Sequence, residues 1–172
     1  PKDSFVLNLS SLNDQIYEKS LNFCFETIKL ANKLNINKYA VHAGYYIDFH
    51  QSEAGIKKSK KNLYDKEKSK IRFCSAIENL NKINKGPTRL YIENNVYSLA
   101  DYEVYGKNRP YMLLDVKDFI ELKQKIKFNL LLDVAHLFVT SNSLKLNFDK
   151  ELEYLIKQTD YLHYSENNRF MD

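Results

Sequence analysis

Short apolar runs alternate along this chain with longer stretches in which apolar residues recur every three or four positions. The first pattern predicts strands and the second predicts amphipathic helices. Strands are predicted over five segments: FVLNLS (5–10), KYAVHAG (38–44), TRLYIENN (88–95), FNLLLDV (128–134) and DYLHYS (160–165). Helices are predicted over four segments between them: about 14–34, 65–84, about 115–126 and about 149–156. Asp115 and Asp149 are the expected N-caps of the last two helices.

This alternation of strands and helices predicts parallel strands joined by helical crossovers. An open doubly wound sheet would carry a glycine-rich phosphate loop after an early strand, and the sequence has none. A barrel would carry polar residues at the carboxyl ends of many strands, which is the pattern observed. We therefore predict an α/β fold, a parallel (β/α)₈ TIM barrel, forming a single domain over 1–172. A complete barrel takes about 250 residues, so we expect an incomplete one, with about five βα units.

Composition and charge restrict the class of protein only mildly. The chain has 172 residues, of which 44% are hydrophobic and 28% charged, as in ordinary globular domains. Its net charge of +4 does not require a nucleic-acid partner. Cys24 and Cys74 lie among helix-periodic apolar residues, which predicts reduced core thiols. With no membrane-length apolar run and no signal peptide in the sequence, we expect a cytoplasmic location.

Charged and imidazole side chains occur where the predicted strands end. Glu93, Asp133, His163 and His42 end four strands, and His136 follows three positions after Asp133. Taken singly, a histidine could be a hydrogen-bonded rim residue, Glu93 could pair with a lysine, and Asp133 could cap the next segment. Because the carboxyl ends of barrel strands meet at one mouth, a single metal or catalytic site explains all of them together. We favour that interpretation.

The motifs KYAVHAG, LYIENN, LLDVAHL and YLHYSENN, in this order, resemble the xylose-isomerase-like barrel superfamily. This superfamily includes sugar and sugar-phosphate isomerases and epimerases, and endonuclease IV. FVLNLSS also resembles the strand that precedes the histidine strand there. The resemblance implies that Glu93, Asp133 and His163 bind a divalent cation. It also implies that His136 contacts substrate in the isomerases or a further metal in the nuclease, and that His42 lines the site or binds zinc.

The sequence departs from the superfamily pattern in two places. A fourth carboxylate ligand normally comes from the last barrel strand, which lies beyond the strands predicted here. Glu166 stands where aspartate is common, and RFMD (169–172) resembles the start of an Asp-x-His element. A degenerate barrel that binds a ligand or partner without catalysis therefore remains an alternative.

The chemistry of the ligand set agrees with this resemblance. Two carboxylates and an imidazole suit Mn²⁺, Mg²⁺, Co²⁺ or Zn²⁺. A cation held with open positions can polarise a carbonyl oxygen and stabilise the charge of an enediolate. Glu93 could then act as the base toward a carbon-bound proton. The candidate catalytic residues are Glu93 and His136.

Two long segments after strands, 44–64 and 95–114, are expected to form the substrate pocket. Their aromatic residues are Tyr45, Tyr46, Phe49, Tyr97, Tyr102, Tyr105 and Tyr111. These rings could stack on sugars or pack the loops onto the barrel, and Arg109 could meet a phosphate or solvent. As candidate substrate-binding residues we select His42, Asn8, Asn94, Tyr45 and Arg109.

These observations predict a divalent-metal-dependent sugar or sugar-phosphate isomerase or epimerase, which transfers a proton next to a carbonyl. The main alternative is an endonuclease IV-like zinc phosphodiesterase acting on abasic DNA. The seven lysines of 55–70 would then contact DNA, but Asp65 and Glu67 interrupt them, which favours a solvated helix face. LFVTSNS and YSENN also lack the GYD and NDSK elements of endonuclease IV. We therefore expect a small-molecule partner, no nucleic acid and no membrane, and leave a homo-oligomer open.

Overall fold

The structure, a computed structural model, describes residues 5–50, 53 and 60–165. Its helices are α1 (Asp14–Lys33), α2 (Lys66–Ile83), α3 (Leu99–Tyr105), α4 (Val116–Lys125), α5 (Val134–Leu144) and α6 (Phe148–Leu155). Its strands are β1 (Lys38–His42), β2 (Arg89–Glu93), β3 (Asn129–Asp133) and β4 (Thr159–His163).

The four strands form one parallel sheet in the order β1-β2-β3-β4. Neighbours in the sheet are thus neighbours in sequence, as in the wall of a barrel. A doubly wound sheet would instead reverse its strand order at a switch point. The α/β fold with parallel strands is confirmed, and the sheet is consistent with part of a barrel. The assignment of 1–172 to a single domain stays a prediction.

The main core lies between one face of the sheet and the helices. Leu90 and Ile92 of β2, and Leu130 and Leu132 of β3, are at most 4% exposed and pack in this core with residues of α1, α2 and α4. Strand side chains alternate between faces. The alternate side chains of each strand therefore lie on the opposite face. The last side chain on that face, in each strand, belongs to a candidate site residue.

The predicted strand 5–10 is not formed, so the sheet has one strand fewer than expected. Residues 5–8 have no regular structure and Leu9–Ser10 form a turn. The backbone N–H of Asn8 donates to the Ser20 hydroxyl of α1 at 2.9 Å. Side-chain hydrogen bonds, rather than a strand ladder, attach this segment to the rest of the chain.

Two helices lie in segments where the sequence analysis predicted no helix. In the segment 95–114, α3 begins with a capping box formed by Ser98 and Asp101. The helix α5 follows β3 without a loop and is largely buried, so it lacks the amphipathic period that reveals surface helices. The short helix α6 is capped by Asn147 instead of Asp149.

Other sequence expectations can be compared with the described part of the chain. Cys24 and Cys74 are free, buried thiols, as predicted. Burial raises the pKa of Cys24 to about 11, which keeps this thiol protonated. No helix in the described ranges is both long and apolar enough to cross a membrane.

Candidate metal centre

The carboxyl ends of all four strands contribute to one cluster of carboxylates and imidazoles. The sheet register places His42 opposite Glu93 and Asp133 opposite His163. The carboxylate side chains are largely buried, at 12% exposed for Glu93 and 10% for Asp133. The imidazoles of His42 and His163 are 44% and 46% exposed. The cluster therefore has a buried acidic floor and an open imidazole rim.

Glu93, Asp133 and His163 form a first trio of candidate ligands. His163 Nδ1 lies 3.3 Å from Glu93 Oε1 and 3.8 Å from Asp133 Oδ2, and one ligand atom of each residue lies within 4.8 Å of the others. Donors bound at about 2.1 Å in tetrahedral geometry lie about 3.4 Å apart. Two carboxylates this close repel each other unless a cation compensates them. The donor set and its spacing fit a shared divalent ion.

Glu93 also belongs to a second trio, with His42 and His136. One ligand atom from each of these residues lies within 4.8 Å of the others. Glu93 Oε2 is 3.9 Å from His42 Nε2, and the two imidazole rings lie 5.5 Å apart between centroids. The two oxygens of Glu93 thus face different trios.

The two roles that the sequence left as alternatives for Asp133 are compatible with each other in the structure. Asp133 Oδ1 accepts the backbone N–H of His136 at 2.9 Å and so caps α5, while Oδ2 faces His163. The capping interpretation and the ligand interpretation therefore apply to different oxygens of one side chain. Because α5 begins directly after Asp133, His136 lies in the first turn of this helix.

His136 is buried and its ring is oriented by the backbone of β2. Its Nδ1 lies 2.8 Å from the carbonyl oxygen of Asn94. A carbonyl oxygen can only accept, so Nδ1 carries the proton, and in the neutral ring Nε2 carries the lone pair. This orientation is the usual one for a histidine that binds a metal or accepts a proton.

Two asparagines expected to contact substrate have other contacts in the structure. Asn94 is 2% exposed, and its amide bonds to both the N–H and the C=O of Asp133. Asn8 is equally buried. Its amide nitrogen donates to Tyr45 O and Asp48 Oδ1, and its Oδ1 accepts from Tyr45 N. The Asn94 amide thus holds the backbone of Asp133, and the Asn8 amide holds that of Tyr45. Substrate contact by either asparagine stays a prediction.

Arg109, selected as a candidate substrate residue, contacts two carboxylates in the structure, and its contact with substrate stays a prediction. Its guanidinium pairs with Asp115 at 2.5 Å and with Asp118 at 2.7 Å. Because both arms of the fork contact carboxylates, the side chain anchors the loop before α4. Burial, reinforced by Asp115, raises the pKa of Asp118 to about 6.

The aromatic residues of the two long segments mostly pack against each other. Tyr46, Tyr97, Tyr105 and Tyr111 are at most 7% exposed, which favours packing for these four. Tyr45 is only partly buried and lies near Glu93: burial raises the pKa of its phenol, and the Glu93 charge raises it further. Tyr45 therefore stays a neutral hydrogen-bond donor beside the cluster.

Two residues that organise these loops were missed by the sequence reasoning. Asn95 donates from its amide to Ala43 O and Met112 O, both at 2.9 Å. Asp48 accepts from the hydroxyls of Ser11 and Tyr64, both at 2.6 Å. A second asparagine after a strand end was the available signal for Asn95, whereas the partners of Asp48 are distant in sequence.

Two lysines in the described part of the lysine-rich segment are paired with carboxylates. Lys61 contacts Glu53 at 2.6 Å, and Lys70 contacts Glu67 and Glu121. These contacts agree with a solvated, ion-paired surface. Residues 54–59 of this segment lie outside the described residues.

Glu166 and the RFMD segment 169–172 also lie outside the described residues. Within the described ranges, the sheet and the cluster define an α/β protein of barrel type with a candidate divalent-metal centre.

Comparison with known proteins points to one group of barrels. No known protein-family profile matches the chain. The chain is 26% identical over 167 residues to a probable endonuclease 4 of Sulfurihydrogenibium sp., covering 93% of this chain and 52% of that protein. It spans about half the length of the curated relatives it matches.

Solved structures show the same fold at low identity. D-psicose 3-epimerase from Clostridium cellulolyticum matches with a TM-score of 0.63 at 15% identity, over 95% of this chain and 50% of that chain. Endonuclease IV from Thermus thermophilus matches with a TM-score of 0.56 at 13% identity, over 96% of this chain and 54% of that chain. These relatives and neighbours are consistent with the xylose-isomerase-like barrel superfamily that the strand-end motifs indicated.

Proposed function

We propose that the protein is a divalent-metal-dependent isomerase or epimerase acting on a sugar or sugar phosphate. The observation that carries this proposal is the convergence of Glu93, Asp133 and His163, with His163 Nδ1 within 3.8 Å of both carboxylates. Mn²⁺, Mg²⁺, Co²⁺ and Zn²⁺ all accept this mixture of oxygen and nitrogen donors. When bound, such a cation would polarise the oxygens of a hydroxy-ketone and so acidify the neighbouring carbon.

The geometry supports a distinct proposed part for each residue around the cation. Glu93 directs Oε1 to His163 and Oε2 to His42, so one oxygen can hold the cation while the other exchanges a proton with substrate carbon. Asp133 and His163 hold the cation only. His136 presents Nε2 as an acceptor for a sugar hydroxyl, and Tyr45 is a neutral donor nearby.

Epimerase neighbours support this assignment. Among the solved structures with similar folds are a D-psicose 3-epimerase and an L-ribulose 3-epimerase. Both act on sugars by their names, and the transfer of that activity to this chain is part of the proposal. The proposal likewise includes that the full-length protein acts on a sugar and supplies a fourth carboxylate ligand from its last barrel strand.

Exchange of carbon-bound hydrogen with solvent deuterium, measured for a panel of sugars, tests the proposed class of reaction. The full-length protein, loaded in turn with each of the four cations, is incubated in D₂O with ketoses and ketose phosphates. We expect deuterium at the carbon next to the carbonyl, detected by proton NMR, and loss of exchange in Glu93→Gln. Asp65→Asn, which alters an exposed cap of α2, is the matched control and should retain exchange. Absence of exchange with every sugar would refute the proposal.

A second candidate is an endonuclease IV-like phosphodiesterase. It is favoured by the second trio of His42, Glu93 and His136, which would let Glu93 bridge two ions as in two-metal phosphoryl chemistry. The curated relatives named probable endonuclease 4 also support it. Cleavage of abasic duplex DNA by the zinc-loaded full-length protein, falling steeply with salt, would establish this alternative. Uncut DNA at low salt would exclude it. If metal binds and neither reaction occurs, a non-catalytic binding barrel is left.

A further inference from the structure

Asn94 contacts members of both trios without belonging to either. We propose that it is a positioning residue, which sets the separation of Asp133 and Glu93 through its side chain and the orientation of His136 through its backbone. The inference deepens the proposed metal site and rests on it. It is an alternative to the substrate contact expected for this side chain.

The first step of the argument is the end of the β2–β3 ladder. The paired register runs from Tyr91–Asn129 to Glu93–Leu131, so Asp133 lies two residues beyond the last pair. At that point the Asn94 amide accepts the N–H of Asp133 at 2.7 Å and donates to its C=O at 3.0 Å. This two-point contact continues the strand pairing by one step with a side chain. It therefore holds Asp133 at a defined distance from Glu93, the residue before Asn94.

The second step is the orientation of His136. The Asn94 carbonyl oxygen accepts Nδ1–H of this ring at 2.8 Å, and Asp133 Oδ1 accepts its backbone N–H at 2.9 Å. Asn94, Asp133 and His136 thus form a closed ring of hydrogen bonds. Displacing any one of them disturbs the other two.

Alanine at position 94 would remove both side-chain bonds and keep the backbone carbonyl. Two backbone groups of Asp133 would each lose a hydrogen bond, so the end of β3 would be held less firmly and should shift. Loss of such a supporting contact typically weakens metal affinity about 10- to 100-fold. Because Asn94 is 2% exposed, a general loss of stability must be separated from this effect.

Asn84→Ala is the matched control. The Asn84 amide donates to Thr88 O at 2.5 Å and accepts from Asn32 at 2.9 Å. It likewise fixes backbone at an end of β2, but at the amino end, whereas the site lies at the carboxyl end. Its loss should destabilise the fold without touching either trio.

The experiment uses the full-length wild type, Asn94→Ala and Asn84→Ala. Mn²⁺ affinity is measured by titration calorimetry, and the tautomer of His136 in the metal-free protein is measured by ¹⁵N NMR at alkaline pH. We expect the wild-type ring to be protonated at Nδ1. Asn94→Ala should bind Mn²⁺ at least tenfold more weakly and show a mixture of tautomers, and Asn84→Ala should match the wild type in both.

Three results would overturn the inference. They are a wild-type His136 ring protonated at Nε2, an Asn94→Ala variant with unchanged tautomer and Mn²⁺ affinity, and an equal loss of affinity in Asn84→Ala. If the wild type binds none of Mn²⁺, Mg²⁺, Co²⁺ and Zn²⁺, the proposed function fails separately. The tautomer comparison between the two variants then still decides the role of Asn94.

Discussion

Replacing Asp133 separates the helix cap that its carboxylate forms from the ligand role proposed for it. Oδ1 caps α5 by accepting the N–H of His136 at 2.9 Å, and Oδ2 lies 3.8 Å from His163 Nδ1. Asparagine caps a helix about as well as aspartate, whereas alanine does not. Asp133→Asn should therefore keep the cap and lose the charge, and Asp133→Ala should lose both.

The expected magnitudes follow from these two contacts. In the metal-free protein, Asp133→Ala should lower the free energy of unfolding by about 1 kcal/mol, the usual value of an N-cap. Asp133→Asn should stay within about 0.5 kcal/mol of the wild type, because an oxygen still caps α5. A cation at 100 times its dissociation constant should stabilise the wild type by about 2.7 kcal/mol. Neither variant should gain that amount, since Glu93 and His163 alone form a poorer site.

Urea unfolding of the full-length protein with and without Mn²⁺ measures both effects. Asp65 provides matched controls, because it caps α2 by accepting Lys68 N–H at 3.0 Å, is exposed and belongs to neither trio. Asp65→Ala should lose cap stability and retain the full Mn²⁺ stabilisation, and Asp65→Asn should change neither. If Asp133→Asn gains as much from Mn²⁺ as the wild type does, the assignment of Asp133 as a ligand is refuted.

Three further predictions concern the framework around the site. Arg109→Ala should lower the free energy of unfolding by about 3–5 kcal/mol in urea titrations, because it leaves two largely buried carboxylates without their cation; a loss below about 1 kcal/mol would contradict this reasoning. The pKa of Asp118 is raised to about 6 in the fold, so the folded state binds the extra proton and stability should fall as pH rises from about 4 to 6. This fall should reach at most about 3 kcal/mol and disappear in Asp118→Asn; the same slope in both proteins would exclude Asp118 as its source. Gly44→Ala should destabilise the fold by about 1–3 kcal/mol, because the added Cβ would lie 2.2 Å from Ser10 Oγ. An unchanged melting temperature would contradict this prediction, because it would show that Ser10 moves away at no cost in free energy.

Much of the sheet could be predicted from local sequence. The strands predicted at 38–44, 88–95, 128–134 and 160–165 are formed with ends shifted by at most two residues. Their apolar residues alternate or run together between turn residues, so the signal lies within each segment. Segment 5–10 carries a similar signal, but its contacts are made by side chains and it forms no strand. The buried helix α5 escaped prediction because a helix apolar on most sides lacks a helical period.

The sequence by itself determined which chemical groups end the strands. Because strand side chains alternate between faces, Glu93, Asp133 and His163 lie on the same face of the sheet. Parallel pairing then brings these three side chains together at the carboxyl end of the sheet. Only the tertiary structure decided what the neighbouring polar residues do. Asn94 bonds to Asp133, 39 residues away, and Asn8 bonds to the loop after β1, 37 to 40 residues away. A side-chain amide can form hydrogen bonds with a sugar or with a backbone group, and the local sequence is the same in both cases. The packing of distant segments decides which partner lies next to the amide, and local sequence does not specify that packing.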